Sequence, residues 1–252
     1  MKTTPLFALL LSLAGPVAAA CPEDDGFRKL ASFERLYLGE THGTAEVPQL
    51  VQCLVEKAIA AQPDRLAVSL EMPEEARRPD SLFWKNQDGR ASQAMWRLHQ
   101  WLLTQQTAGT LKLDYHQPTT HYPNQADYEK AGGQALNALM RKHARVIVLG
   151  GSFHSRREAF DWMPGVAPMG SYVGEGTVHV EVHARQGGSA WQCRSTAPAG
   201  SSPPPPICAE HAVPPLPLPP GDAGDLRDGR KLGHDYVYLL KSFMASPPHQ
   251  PQ

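Results

Sequence analysis

Net charge is almost absent from this sequence, and so, beyond residue 20, are long apolar runs. Lys and Arg number 24 against 25 Asp and Glu, a formal charge of −1, so the basic footprint that binding to a phosphate backbone requires is missing. Nucleic acid is not an expected partner. After residue 20 no uninterrupted apolar stretch approaches the ~20 residues that span a bilayer, and the mature chain is expected to be soluble. Cysteine is scarce, with four in 252 residues, and none has the C-x-x-C spacing of a zinc site. The sequence also lacks H-E-x-x-H, G-x-S-x-G, G-x-x-x-x-G-K-S/T and G-x-G-x-x-G. Those absences remove the zinc-protease helix, the serine-hydrolase elbow and the phosphate-binding loops. Core material is plentiful: 41% hydrophobic against 19% charged residues suffices for one good-sized domain.

The first 20 residues have the shape of a secretory signal. Lys2 precedes an apolar stretch from Pro5 to Leu13, then Gly15-Pro16 and Ala18-Ala19-Ala20. The fold then begins near Cys21, in a secreted or periplasmic compartment. Lipidation of Cys21 would be the only route to a membrane, and Ala18 stands where lipoprotein signals usually carry Leu. An even cysteine count in an oxidising compartment favours bridges. The preferred pairing joins near neighbours, Cys21 with Cys53 and Cys193 with Cys208.

Strand and helix patterns alternate along the chain. Arg35-Leu36-Tyr37-Leu38, Leu66-Ala67-Val68-Ser69-Leu70, Leu111-Lys112-Leu113-Asp114-Tyr115 and Val146-Ile147-Val148-Leu149 read as strands. Between them, helical faces are formed by Val47 to Ile59, Ala94 to Leu102 and Tyr128 to Met140. The third contains Gly132-Gly133, which costs about 1 kcal/mol per glycine and implies close packing against a neighbour. This alternation predicts a layered α/β/α domain with a largely parallel sheet, spanning 21–245. Residues 177–183 and 236–240 read as antiparallel or edge strands. Between them, 197–225 reads as an exposed proline-rich loop, more readily a surface insertion than a docking motif. Residues 246–252 read as a disordered tail.

The residues that carry chemistry fall at strand ends. Gly39-Glu40-Thr41-His42 follows the first strand and Gly151-Ser152-Phe153-His154 follows the fourth, so a G-x-x-H arrangement occurs twice. Glu71 ends the second strand, and Asp114 and His116 end the third. Loops beyond the carboxyl ends of parallel strands share one rim, where such sheets bind ligands. Glu40, His42, Glu71 and His154 should therefore meet in one cleft, as general acid and base around a water or as a mixed N/O site for Zn, Mn, Fe or Co. Arg90, in Asp88-Gly89-Arg90, could clamp a substrate carboxylate or phosphate. His179, Glu181 and His183 alternate on one strand, which more often marks a wet face than a metal site.

In their order, Gly39 to Thr44, Leu70-Glu71-Met72-Pro73, Asp88-Gly89-Arg90 and Gly151-Ser152-Phe153-His154 resemble the Tiki/TraB, erythromycin-esterase and ChaN superfamily over roughly residues 33–160. The resemblance implies an α/β fold with the histidines and glutamates in one pocket. It implies three activities: metal-dependent proteolysis, histidine-assisted ester or lactone cleavage, or haem capture. The roles of Glu40, His42, Glu71 and His154 carry over, with Arg90 beside them. The chain is shorter than the erythromycin esterases, and its cysteine-tied, proline-rich part departs from them, so their substrate is not carried over. The leading expectation is an exported hydrolase of ester, lactone or amide bonds acting on a small molecule or peptide. Its rival is a haem- or metal-uptake protein without turnover.

Overall fold

Val146, Ile147, Val148 and Leu149 are each no more than 3% exposed, as a β-branched run covered on both faces must be. They form the middle of β4 (Arg145–Gly151), a central strand of a computed structural model that describes residues 20–62, 65–118, 122–194, 206–216 and 221–250. The predicted signal segment lies outside the described residues except for Ala20, as do His121 and most of the proline tract. No helix among the described residues is long and apolar enough to cross a membrane.

The other elements are α1 (Asp25–Ser32), β1 (Arg35–Glu40), α2 (Glu46–Ala61), β2 (Leu66–Leu70), α3 (Gln93–Thr107), β3 (Lys112–Tyr115), α4 (Gln125–Lys142), β5 (Val178–Ala184), β6 (Gly188–Arg194), β7 (Ile207–Val213), β8 (Leu226–Asp228) and β9 (Tyr236–Leu240). One sheet runs β3-β2-β4-β1-β5-β9-β8, parallel throughout except for β8 against β9. Side-chain alternation sorts the core into two layers. Leu36, Leu38, Val68, Leu70, Ile147 and Leu149 pack with α1, α2 and α3 on one face. Tyr37, Ala67, Val146 and Val148 pack on the other face with Leu136, Leu139 and Met140 of α4. The predicted α/β/α layering is present.

Gly132 and Gly133 have the close neighbour they implied. A Cβ on Gly132 would stand 2.3 Å from the Met169 side chain, and one on Gly133 2.6 Å from Tyr172. Both neighbours belong to a single 3-10 turn, Met169–Tyr172. The cysteines pair as expected, Cys21 with Cys53 and Cys193 with Cys208, which suits an oxidising compartment.

Three local expectations are corrected. First, β5 is interior and parallel to both neighbours; β9 is interior too, parallel to β5 but antiparallel to β8 as expected, and the edge strand is β8. The polar alternation His179, Glu181, His183 suggested a wet face, but loop residues cover part of it and His179 is fully buried. Second, the proline-rich stretch is not all loop. Ile207 to Val213 forms β7, paired antiparallel with β6, with Cys193 directly opposite Cys208. Third, 245–250 is no loose tail. Pro247 O accepts from Gln93 N–H at 2.8 Å and Ser246 Oγ accepts from Ala94 N–H at 2.9 Å. The His249 ring stacks on Trp96 with centroids 4.0 Å apart.

This strap caps the first turn of α3, where Ser246 is only 3% exposed. Ser246→Ala leaves the Ala94 N–H without its acceptor, and the unfolding free energy in urea should fall by about 1–3 kcal/mol. A change within experimental error would mean that the strap contributes nothing to stability.

Candidate active site

Strand order decides which loops meet. β4 lies between β1 and β2, in a register that sets Glu40 beside Gly151 and Leu70 beside Leu149. The chain leaves all three strands at the same rim, so Glu40, Glu71 and the Gly151 loop emerge side by side. Gly43, with φ +77°, turns the chain sharply after His42, a conformation that glycine adopts without strain.

Two imidazoles flank one backbone position. A Cβ on Gly151 would lie 2.8 Å from His42 Nε2 and 3.5 Å from His154 Cδ2. Each ring is backed by a carboxylate. His42 Nδ1 donates to Glu40 Oε1 at 2.9 Å, with Glu40 buried at 3% exposure. His154 Nδ1 lies 2.7 Å from Oε1 of the buried Glu129, and its Nε2 lies 3.3 Å from Glu71 Oε1; both are ion-pair contacts rather than aligned hydrogen bonds. Glu71 Oε2 accepts the Gly151 N–H at 2.6 Å. Glu71 therefore grips the glycine between the rings and reaches one ring directly.

The charges follow from these contacts. Burial disfavours charge on His42, but the hydrogen bond and charge of Glu40, with Glu71 beyond, outweigh it and raise its pKa. His154 is likewise opposed by burial and raised overall, by Glu71 first and then Glu129. Burial would lift Glu71, yet His154, His42 and the Gly151 N–H bring it down to about 2. The linkage has two signs. Glu71 stabilises the fold fully above its ordinary 4.5, and that contribution is lost as pH falls towards about 2. The histidines stabilise fully below the ordinary imidazole value, and their share is lost as pH rises through their raised folded values.

These groups open into a cleft of about 400 Å³, within the range of small-molecule sites. Arg90 lies on its wall. Asp88 Oδ2 accepts from Arg90 Nε at 3.3 Å and Nη2 at 2.9 Å, leaving Nη1 unused by this pair. Beside Arg90 the wall is formed by Trp191, Gln192 and Cys193 of β6. The strand is seated by Trp191, whose N–H donates to Gly43 O at 2.9 Å and whose Nε1 donates to Gln87 O at 2.8 Å. Gly89 is required at this junction, since a Cβ there would stand 2.5 Å from Trp191 O and 2.6 Å from Gly43 N.

The structure thus brings together Glu40, His42, Glu71, His154 and Arg90. It leaves others apart. His116 is buried behind Glu71 with Nδ1 on Ser69 Oγ at 2.9 Å, and burial takes its pKa down to about 4. Asp114 accepts from Tyr115 N–H. His179 Nδ1 is held by Ser155 O at 2.7 Å, and His179, Glu181 and His183 form no ligand cluster. Glu129 was missed, although its signal was legible: with Gly132, Gly133, Leu136 and Met140 it falls on the buried stripe of α4, where an unpaired carboxylate would be costly.

The residues expected to hold a metal do not form a compact donor set as they stand. Among the described residues, the one group of three donors within 4.8 Å of one another is Cys21, Cys53 and Glu56, and its two sulfurs are bonded to each other.

No protein-family model matches the chain, and no curated sequence is similar to it. Among solved structures, a Bacillus cereus protein superposes with a TM-score of 0.59 at 10% identity, over 90% of this chain and 93% of its own, which shows a shared fold. The type III effector HopBA1 superposes with a TM-score of 0.45 at 12% identity, over 85% of this chain and 91% of its own.

Because Glu129 raises the His154 pKa, Glu129→Gln should lower the midpoint of the His154 ring signals in an NMR titration while moving those of His42 far less. Equal movement of both midpoints would show that Glu129 is not the specific partner of His154.

Proposed function

We propose that the protein is a hydrolase of ester, lactone or amide bonds that works by paired histidine acid–base chemistry. The observation that carries this reading is the disposition of the two rings: each has Nδ1 on its own buried glutamate, and both face Gly151. Glu40 fixes the His42 tautomer that leaves the Nε2 lone pair towards the cleft, the arrangement that suits a general base. His154, held between Glu71 and Glu129, keeps its proton and suits a general acid.

In this reading His42 Nε2 takes a proton from water as the water oxygen adds to the acyl carbon. Negative charge then develops on the former carbonyl oxygen, and Arg90 Nη1, which the Asp88 pair leaves unused, is the cationic donor on the wall that stabilises it. Collapse breaks the acyl C–O or C–N bond, the leaving atom takes the proton on His154 Nε2, the nitrogen engaged only by the longer, 3.3 Å contact to Glu71, and the acyl group departs as a carboxylic acid. Glu71 keeps its charge throughout and holds the Gly151 loop in place.

Capture of a divalent metal or of haem without turnover is the second reading. It has one specific support: Nδ1 paired with a carboxylate is also how ligating imidazoles are oriented. Against it stands the spread of the donor atoms, and no step above is routed through a metal.

His42→Ala and His154→Ala should each lower kcat/KM on p-nitrophenyl acetate or a responsive lactone by about 10²–10⁴-fold. The wild-type pH profile should be a bell with both limbs above the ordinary imidazole value, because both pKa values are raised. Undiminished hydrolysis in both variants would overturn the proposal. Activity lost on dialysis against a chelator and restored by Zn, Mn, Co or Fe would favour the metal. A sharp Soret band with haemin that disappears in both variants would favour haem capture.

A further inference from the structure

A row of aromatic rings leads out of the cleft beside His154, and the chemistry above does not use it. The Phe153 ring, on the cleft wall, meets the His154 ring edge-on with centroids 5.1 Å apart. Phe160 stacks on Phe153 at 5.1 Å, and the Arg156 guanidinium lies 3.8 Å from the Phe160 centroid. Trp162 completes the row, 5.0 Å from Phe160 and 6.3 Å from Phe153. It is 67% exposed, although a tryptophan gains most when it is covered. The row therefore begins one ring away from the reacting imidazole and ends in solvent with an uncovered indole.

The surroundings narrow what could lie on this ledge. Among the described residues, Phe153 and Trp191 are the only large apolar side chains lining the cleft, and they share it with Thr41, Asp88, Arg90, Ser152 and Gln192. A lipid acyl chain would need a continuous apolar trench, and the described residues around this cleft form none. A ligand with a flat apolar face and a perimeter of hydroxyl groups fits both parts: the face stacks on the rings, and the hydroxyls meet mixed donors and acceptors. A pyranose ring has that form.

Phe160, held between the stacked Phe153 ring and the Arg156 guanidinium, supports the row, and the exposed Trp162 supplies the open ring face. We propose that Trp162, with Phe153 on the cleft wall, forms a glycan-binding subsite and that the substrate is an ester carried on a carbohydrate. This rests on the hydrolytic reading of the cleft for its chemistry, though not for its binding. The sugar stacks on the ledge with its ester oxygen beside His154. Water adds to the acyl carbon, the acyl–oxygen bond breaks, the sugar hydroxyl leaves with the histidine's proton, and the acyl group is released as a carboxylic acid.

Binding and turnover are measured separately. Intrinsic tryptophan fluorescence of the whole protein is titrated with xylopentaose, cellopentaose and chitopentaose, and KM and kcat are measured on O-acetylated forms of whichever sugar binds. Saturable binding of at least one sugar is expected. Trp162→Ala should weaken it about tenfold and raise KM on the acetylated sugar more than it lowers kcat, whereas Trp162→Phe should retain most of the affinity. Met244→Ser removes another exposed apolar side chain, away from the cleft lining, and should leave binding as in the wild type. Absence of saturable binding for all three sugars, or binding indifferent to Trp162→Ala, would overturn the subsite. Sugar binding that responds to Trp162→Ala without release of acetate would uphold the subsite and count instead against hydrolysis.

Discussion

The grip of Glu71 on the loop after β4 is the contact on which the site depends. One oxygen accepts the Gly151 N–H and the other faces His154 Nε2, so a single buried carboxylate sets both the backbone between the two imidazoles and the charge of one of them. Burying that carboxylate is unfavourable in isolation, and two imidazoles with a backbone donor reverse the balance. Strand order makes this possible. With β4 flanked by β1 and β2, the loops that carry Glu40, Glu71 and His154 have no other rim to occupy.

The two histidines show how the sheet divides labour. Glu40 belongs to the strand that delivers His42, so that pair forms within one short turn. Glu129 comes from α4 on the far side of the sheet, and it also accepts the Met169 N–H at 2.7 Å. The backing of His154 thus requires that α4, β4 and the 3-10 turn Met169–Tyr172 be assembled together. Gly132 and Gly133 are the cost of that assembly in helix propensity, and the close approach of Met169 and Tyr172 is what they permit.

Much of this was legible in the sequence because it depends on local period. The uninterrupted apolar run at 146–149 marked a strand covered on both faces, and residues just past such strand ends had to share a rim. Glu40, His42, Glu71 and His154 were therefore readable without coordinates. The roles of β5 and β9 were not, because an alternating polar face looks the same whether water or a loop covers it; here the Ser155 carbonyl binds His179. β7 was hidden by the prolines around it. The strap at 245–250 was hidden because its bonds run to the start of α3, about 150 positions away, and local pattern carries no record of such partners. Glu129 lay between these cases: its place on an apolar stripe was visible, but the histidine it faces was not.

Gly43, Gly89 and Trp191 meet almost entirely through backbone atoms, with no room for a side chain at either glycine. Three segments widely spaced in the sequence, one of them strand β6, are thereby locked into one joint, and a change in any of them is vetoed by the other two. That joint carries Arg90 and the hairpin wall but not the segment from Phe153 to Trp162. Over evolutionary time the polar half of the cleft is therefore constrained as a unit, while the aromatic side can vary residue by residue.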